Sequence, residues 1–578
     1  MQDRVRVEAN RWIKRLRLVP YGGVSMRERF TYRGDSLWWF TEIYLHKMRR
    51  LEDALTAIFM LEAVVEQTSP QRLAVACTNR TDAEATRAFA QARGLDVEII
   101  HANERPARLD AGLLVGVSAV LSRLRPTPRP PSGRARVAAF VHTAFWRVQG
   151  AAHDGREAYI GDVLDAVTAR VSRDNLRLVG VGPRRNFRAR RWWDPVVSRD
   201  TPRVTPVEHY APRRQLTEAL ALWRDRQRLA SALTAGEGIR AAGWFGDYDL
   251  WPVLSAELAD AARVQWTWSA RAMDEARAAL VAIEPDVAVT YAEAGGWGRA
   301  LVLEARRLAI PTAGLQHGFI YRHWLNYQHD ADEMASLGTD RGFPAPTRTL
   351  LFDRYAETTL RTMGHFPPEA LRVTGSPRLD ELVGRLEPVR ADRTAIRREL
   401  GVPDDGRLLV LAAKASEIAP HLDSLFAAVT SLAGVRLVVK PHPAEPRDVY
   451  VRRLRPGTPV EVLDPHADLG RLLAVADGLV TMNSTVAIDA LVLGVPALVV
   501  GLPNNLSPFV DAGVMAGAPD DGLESGIERL LYDRADREAL LGRGKAFAEA
   551  YQMRADGGAA GRAADHILAF GAPQSHQP

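Results

Sequence analysis

A lysine, a histidine and two prolines stand together at Lys440-Pro441-His442-Pro443, directly after the apolar run 435–439. Each proline fixes its own backbone angle and restricts the residue before it, so this turn holds an ammonium and an imidazole rigidly. Further along, Asn483-Ser484-Thr485 follows the apolar run 478–482 and opens a segment that continues through Asp489 to Gly494. Asn483 or Ser484 is expected to cap a helix there, with Gly494 at its end. A helix start offers unpaired N–H groups and the positive end of its dipole, and small hydroxyls let an anion approach. Both turns suit a phosphate-bearing ligand; an ordinary capped strand–helix–strand unit is the plain alternative. Lys414, in the turn after the run 408–412, adds a second ammonium at a strand end in a chain with only five lysines.

Acid–base candidates lie earlier. Glu293 follows the run 286–291 beside Gly295 and Gly296, and His317 sits in Gln316-His317-Gly318 after the run 311–315. Carboxyl ends of parallel strands are where such sheets place reacting groups. A packed histidine is the plain reading of His317. The stretch Gly375-Ser376-Pro377-Arg378 reads as a tight turn that offers Ser376 and a fixed Arg378. The loop 147–159, with His153, Arg156 and Glu157, is a candidate acceptor loop, or a polar surface connection.

These residues need a scaffold, and the apolar pattern supplies one. From about residue 135 onward, short β-branched runs bounded by Pro, Gly and Asn alternate with helical stretches, which predicts doubly wound parallel sheets. The basic, proline-rich stretch 124–134 reads as a linker. The fold class expected is α/β in three parts: an N-terminal α/β region at 1–130, and two Rossmann-like domains at 135–345 and 346–565. Residues 36–67 read as one helix, with Trp38, Trp39 and Phe40 as core.

Lys440-Pro441-His442-Pro443 followed by Asn483-Ser484-Thr485, Asp489-Ala490 and Gly494-Val495-Pro496 resembles the C-terminal half of bacterial capsule and surface-polysaccharide transferases of the GT-B fold. The nearest groups in pattern are the Kdo-adding capsule proteins and, more distantly, the CMP-sialic acid transferases. The resemblance covers roughly residues 435–510, with echoes at 285–320 and 373–382. It implies two Rossmann-like halves facing a cleft. It also implies that Lys440, His442, Pro443, Asn483, Ser484, Thr485, Asp489, Lys414, Ser376 and Arg378 hold a nucleotide or its phosphate. Asp489 stands where such enzymes often carry Glu on a ribose. Glu293 and His317 would then serve as catalytic groups across the cleft. A nucleotide-sugar, in its most specific form a CMP-linked acidic sugar, would be the donor, and a polysaccharide or lipid-linked glycan the acceptor, with no cofactor. A nucleotide-sugar 2-epimerase, a CDP-alcohol phosphotransferase and a non-catalytic assembly protein are the rivals on the same scaffold.

Composition narrows the field. The 578 residues carry 75 basic and 70 acidic side chains, a net charge of +5, which argues against a polycationic nucleic-acid binder. The arginine–aromatic stretch 183–193 is too short and isolated to reverse that. Cys77 is the sole cysteine, so there is neither a disulfide framework nor a thiolate metal site, and a reducing cytosol fits. Asp247/Asp249 and Asp330/Asp332 have Asp-x-Asp spacing but read as surface carboxylates, so no metal is expected. The charged N-terminus lacks a signal-peptide core, and membrane contact is expected to be peripheral at most.

Overall fold

A computed structural model describes residues 1–101, 130, 133–142, 145–149, 154–181, 204–211, 216–291, 295–442 and 445–571. Two parallel sheets organise the chain. The first has strands β1 (Val137–His142), β2 (Leu176–Val181), β3 (Val204–Pro206), β4 (Val287–Thr290), β5 (Thr312–Leu315), β6 (Arg348–Leu351) and β7 (Leu371–Val373) in the spatial order 3-2-1-4-5-6-7. The second has β8 (Arg407–Leu411), β9 (Val435–Val439), β10 (Val460–Val462), β11 (Gly478–Thr481), β12 (Ala497–Val499) and β13 (Ala516–Gly517) in the order 10-9-8-11-12-13. Counted from its own first strand, each sheet runs 3-2-1-4-5-6, the Rossmann order, with a switch point between first and fourth strands. The α/β architecture with two Rossmann-like sheets expected from sequence is therefore present.

Alternation along the strands puts a separate core on each face of each sheet. Val137, Ala139 and Val141 join one cluster and Ala138 and Phe140 another. Leu409 and Leu411 face one way, Leu408 and Val410 the other. Strands buried on both faces explain why the runs are apolar throughout.

Three local expectations change. β6 and β7, placed by sequence in the second half, complete the first sheet: β6 pairs with β5 and β7 with β6. The C-terminal helix Ala559–Leu568 also returns to the first sheet, burying Ala563, Ala564 and Ile567 beside Val163 and Val167. The single helix expected at 36–67 is two, Trp38–Met48 and Arg50–Thr68, because Arg49 adopts a left-handed conformation (φ 59°) between them. Trp38, Trp39 and Phe40 are core, each at most 1% exposed.

The N-terminal segment contributes the helix Gln2–Leu16 and a parallel strand pair, Arg72–Cys77 with Asp96–His101, bridged by the helix Arg80–Arg93. Its apolar side chains share one continuous core with residues such as Leu254, Trp266, Leu303, Ile320 and Leu351. No helix among the described residues is long and apolar enough to cross a membrane.

Candidate functional site

The carboxyl ends of β1, β4 and β5 carry an aromatic box around His317. Tyr159 and Tyr291 each meet its ring edge-to-face at 5.7 Å between centroids. Burial pushes the imidazole down to about 4, so it is neutral near pH 7. Among the described residues its Nδ1 has no hydrogen-bond partner. The neighbouring Gln316 is fixed: its Nε2 donates to the Gly318 carbonyl (2.9 Å) and its Oε1 accepts from the Phe352 amide (2.8 Å). That brace aims the turn out of the sheet end.

Beneath the box lies Glu157, 2% exposed. Its Oε2 accepts from the amides of Tyr159 (2.6 Å) and Ile160 (2.5 Å), and the Tyr291 hydroxyl is a polar neighbour of the same carboxylate. Burial raises the Glu157 carboxyl despite those donors. Tyr291 Oη in turn accepts from the His142 amide (2.8 Å), joining the ends of β1 and β4 at the first sheet's switch point. Glu157 belongs to the candidate acceptor loop 147–159 of the sequence; its place under the box depends on Tyr291, far along the chain.

The second sheet approaches from the opposite side. A small cavity of about 30 Å³ is lined by Gln316, Phe352 and Asp353 together with Ser376, Arg378, Thr485 and Asp489. Four of the residues expected at the site, Ser376, Arg378, Thr485 and Asp489, thus converge beside the His317 turn. Tyr321, in the loop after that turn, has the Thr485 side chain as a polar neighbour that favours its ionised form, while burial raises its pKa. Phe319 of the same loop packs between Tyr355 (6.0 Å, stacked) and Phe509 (5.6 Å). Arg378 lies within electrostatic reach of the Tyr159 hydroxyl.

Several expectations are modified at this site. Asp489, expected on a ribose, is 2% exposed and bonded by both terminal nitrogens of Arg378, so its oxygens are engaged inside the protein. Lys440, expected on a phosphate, donates to the Pro465 carbonyl (2.8 Å) and braces the turn after β10; burial lowers its pKa. Asn483 does not cap the helix: its Oδ1 accepts from the Asn505 amide (3.1 Å), tethering the loop after β12. The cap position is Thr485, whose side chain makes no capping bond, and the helix spans Val486–Leu493. Ser484 Oγ accepts from Val486 N (3.3 Å), and Gly494 ends the helix at φ 71° as expected.

His442 is exposed, and its carbonyl accepts from the Glu445 amide (2.9 Å). The Glu445 carboxylate accepts from Ala415 N (2.6 Å) and Ser416 Oγ (3.1 Å), tying the turn after β9 to the turn carrying Lys414. Lys414 is 54% exposed, 3.8 Å from Glu417. Lys414, Lys440, His442, Asn483 and Ser484 do not line the cavity beside the His317 turn. Glu293 and Pro443 lie outside the described residues.

One residue that sequence reasoning missed is Asp353. It lines the cavity, caps the helix Arg354–Met363 by accepting from Ala356 N (2.8 Å), and burial raises its carboxyl to about 6. A capping Asp before a helix was visible in the sequence; its place facing the other sheet was not. Asp330 and Asp332, read as surface carboxylates, are each half-exposed and bonded to Arg17 at 2.8 Å.

No family model and no curated protein sequence matches the chain. Among solved structures it is similar to UDP-GlcNAc 2-epimerase from Neisseria meningitidis bound to UDP-GlcNAc, at 13% identity, covering 72% of this chain and 98% of that one, TM-score 0.40. It is similar to the calicheamicin glycosyltransferase CalG4 at 17% identity, over 76% and 98% of the two chains, TM-score 0.39. A variant of the wall teichoic acid polymerase TagF matches at 15% identity over 53% and 75%, TM-score 0.34. At such identities and scores these are neighbours in chain trace, and nothing of their ligands or reactions is carried to this site.

Proposed function

We propose that the chain is a metal-independent glycosyltransferase that moves a sugar from a nucleotide-linked donor, in its sharpest form a CMP-linked acidic sugar, to a surface-polysaccharide or glycolipid acceptor. The observation that carries this reading is the meeting of two sheet ends: Gln316, beside His317, lines one cavity with Thr485, Arg378 and Asp489. In this reading the donor phosphate lies at the start of the helix Val486–Leu493, where the Ser484 and Thr485 hydroxyls and the positive end of the helix dipole favour an anion. His442 adds an imidazole from the end of β9, one strand beyond β8 from β11, and Arg378, held by Asp489, adds a positive charge. Lys414 remains a candidate for the outer phosphate or the nucleotide. His317 is the base for the acceptor hydroxyl. Its ring is neutral, and Nδ1 is not committed to any described residue. Base catalysis of this kind contributes about 10²–10⁴-fold.

The test is a panel of CMP, CDP, UDP and GDP compounds, read by thermal shift on wild-type protein and on His442→Ala and Thr485→Val variants. Wild-type stabilisation by one nucleotide class, reduced in both variants, supports the reading; no stabilisation by any of them removes it. Conversion of donor in the absence of acceptor would replace transfer by epimerisation. Transfer that needs an added divalent cation would overturn the metal-independent part. Contact with a membrane surface, to reach a lipid-linked acceptor, is part of the proposal and is read by co-sedimentation with anionic vesicles.

A further inference from the structure

The loop that carries His317 and Tyr321 continues into a charged cage built with the N-terminal helix. Glu42, His329 and Glu333, all buried, bring three potential ligand atoms within 4.8 Å of one another. The Lys14 ammonium already sits among them, 2.7 Å from Glu42 Oε1, 2.6 Å from Glu333 Oε2 and 3.4 Å from His329 Nδ1. His329 Nε2 lies 3.2 Å from the Asn326 carbonyl, which places the ring proton there and leaves a lone pair at Nδ1 facing Lys14. Two carboxylates and an imidazole lone pair are the donor set of a divalent transition-metal site. Here the cation comes from the protein's own chain.

The same helix grips the loop at two further points. Asp3 is bonded by Arg322 and lies 2.7 Å from His323 Nε2, and Asn10 Nδ2 donates to the His323 carbonyl (3.0 Å). Arg17 holds Asp330 and Asp332. Upstream of these anchors, Tyr321 reaches Thr485 and His317 reaches the aromatic box. The loop is thus fixed at one end by the cleft and at the other by the N-terminal helix.

We propose that Lys14 is the resident cation of a metal-type ligand cage, and that through it the N-terminal helix positions the loop bearing His317 and Tyr321. Lys14 is a positioning residue. Its removal leaves Glu42 with Arg299 (2.9 Å) and Glu333 with the Asp330 amide (2.8 Å) and a distant Arg17 (4.0 Å), while the centre of the cage loses its cation and a divalent ion can take its place. The cage and the loop anchorage stand apart from the transfer reaction; only an effect on nucleotide affinity rests on that reading.

The experiment compares wild-type protein with Lys14→Ala, each with and without Co²⁺ and with no nucleotide present. Tryptic cleavage after Arg322 reports loop release, and visible absorption reports cobalt held by nitrogen and oxygen ligands. Lys14→Ala is expected to be cleaved about tenfold faster than wild type. Co²⁺ is expected to restore protection and give an absorption band that wild type lacks. Both effects should vanish in Lys14→Ala/Glu333→Gln. If Lys14→Ala does not fold, Lys14→Met keeps the packed stem and carries the same comparison. Unchanged cleavage overturns the positioning role, and release without Co²⁺ rescue overturns the cage. Nucleotide thermal shifts on the same proteins then separate the two readings: a wild type that binds no nucleotide counts against the transferase while leaving the cage result intact.

Discussion

Arg378 grips Asp489 from 111 residues away, with Nη1 2.8 Å from Oδ2 and Nη2 2.5 Å from Oδ1. The two-point geometry holds the guanidinium plane at the junction of the two sheets, with the Asp489 side chain buried and that of Arg378 42% exposed. Lysine has a single ammonium and cannot reproduce it. Arg378→Ala should cost about 2 kcal/mol, less than a fully buried pair because one partner is wetted. Arg378→Lys should recover only part of that loss. Urea denaturation of the two variants checks the order; equal stability of Lys and wild type would show that the fork does not matter.

His317 gives a pH signature. Its pKa falls from 6.5 to about 4 on folding because burial disfavours the imidazolium. The unfolded chain therefore binds the extra proton first. This contribution is fully present above the unfolded value and is lost as pH falls from about 6.5 through about 4, a difference on the order of 3 kcal/mol. His317→Asn should flatten that part of the stability curve relative to wild type. A base with this pKa also predicts a transfer rate that keeps its acid limb near the same low value.

Asp353 has the opposite sign. Burial raises its carboxyl from 3.8 to about 6, so the folded state favours the protonated form. The contribution is present below the unfolded value and is lost as pH rises through about 6. Asparagine caps a helix as well as aspartate does. Asp353→Asn should therefore gain up to about 3 kcal/mol near pH 7 and nothing near pH 3. Chemical denaturation at the two pH values measures it. If Asp353 also exchanges a proton with substrate, the same variant loses turnover while gaining stability.

The Tyr321 hydroxyl has the Thr485 side chain as a polar neighbour across the cleft. Tyr321→Phe keeps the ring against Phe319 (5.4 Å) and Trp324 (5.9 Å) while removing that hydroxyl. Loss of one polar contact of this kind corresponds to about 1 kcal/mol, roughly fivefold in nucleotide affinity, with little change in folding stability. Calorimetric titration reads the first and thermal unfolding the second.

What the sequence determined by itself was local. Apolar runs such as 435–439 and 478–482, ended by Pro or Asn, are enough to mark buried parallel strands, because burial on both faces leaves no room for alternation. Gly494 as a helix stop follows from backbone chemistry within a few residues, whereas Gly375-Ser376-Pro377-Arg378, read as a tight turn, is the capped start of the helix Pro377–Gly384. Tertiary structure decided which polar groups are committed and which still face the cleft. Lys440 and Asp489 carried the expected chemistry, yet Pro465 and Arg378 take up their bonds. Glu157, Asp353 and Lys14 gave little signal, since each acts through partners brought close by sheet order and helix packing, some more than a hundred residues away. A hydrogen bond depends on a few ångströms of approach, and that approach is fixed by how the two sheets and the N-terminal helix pack.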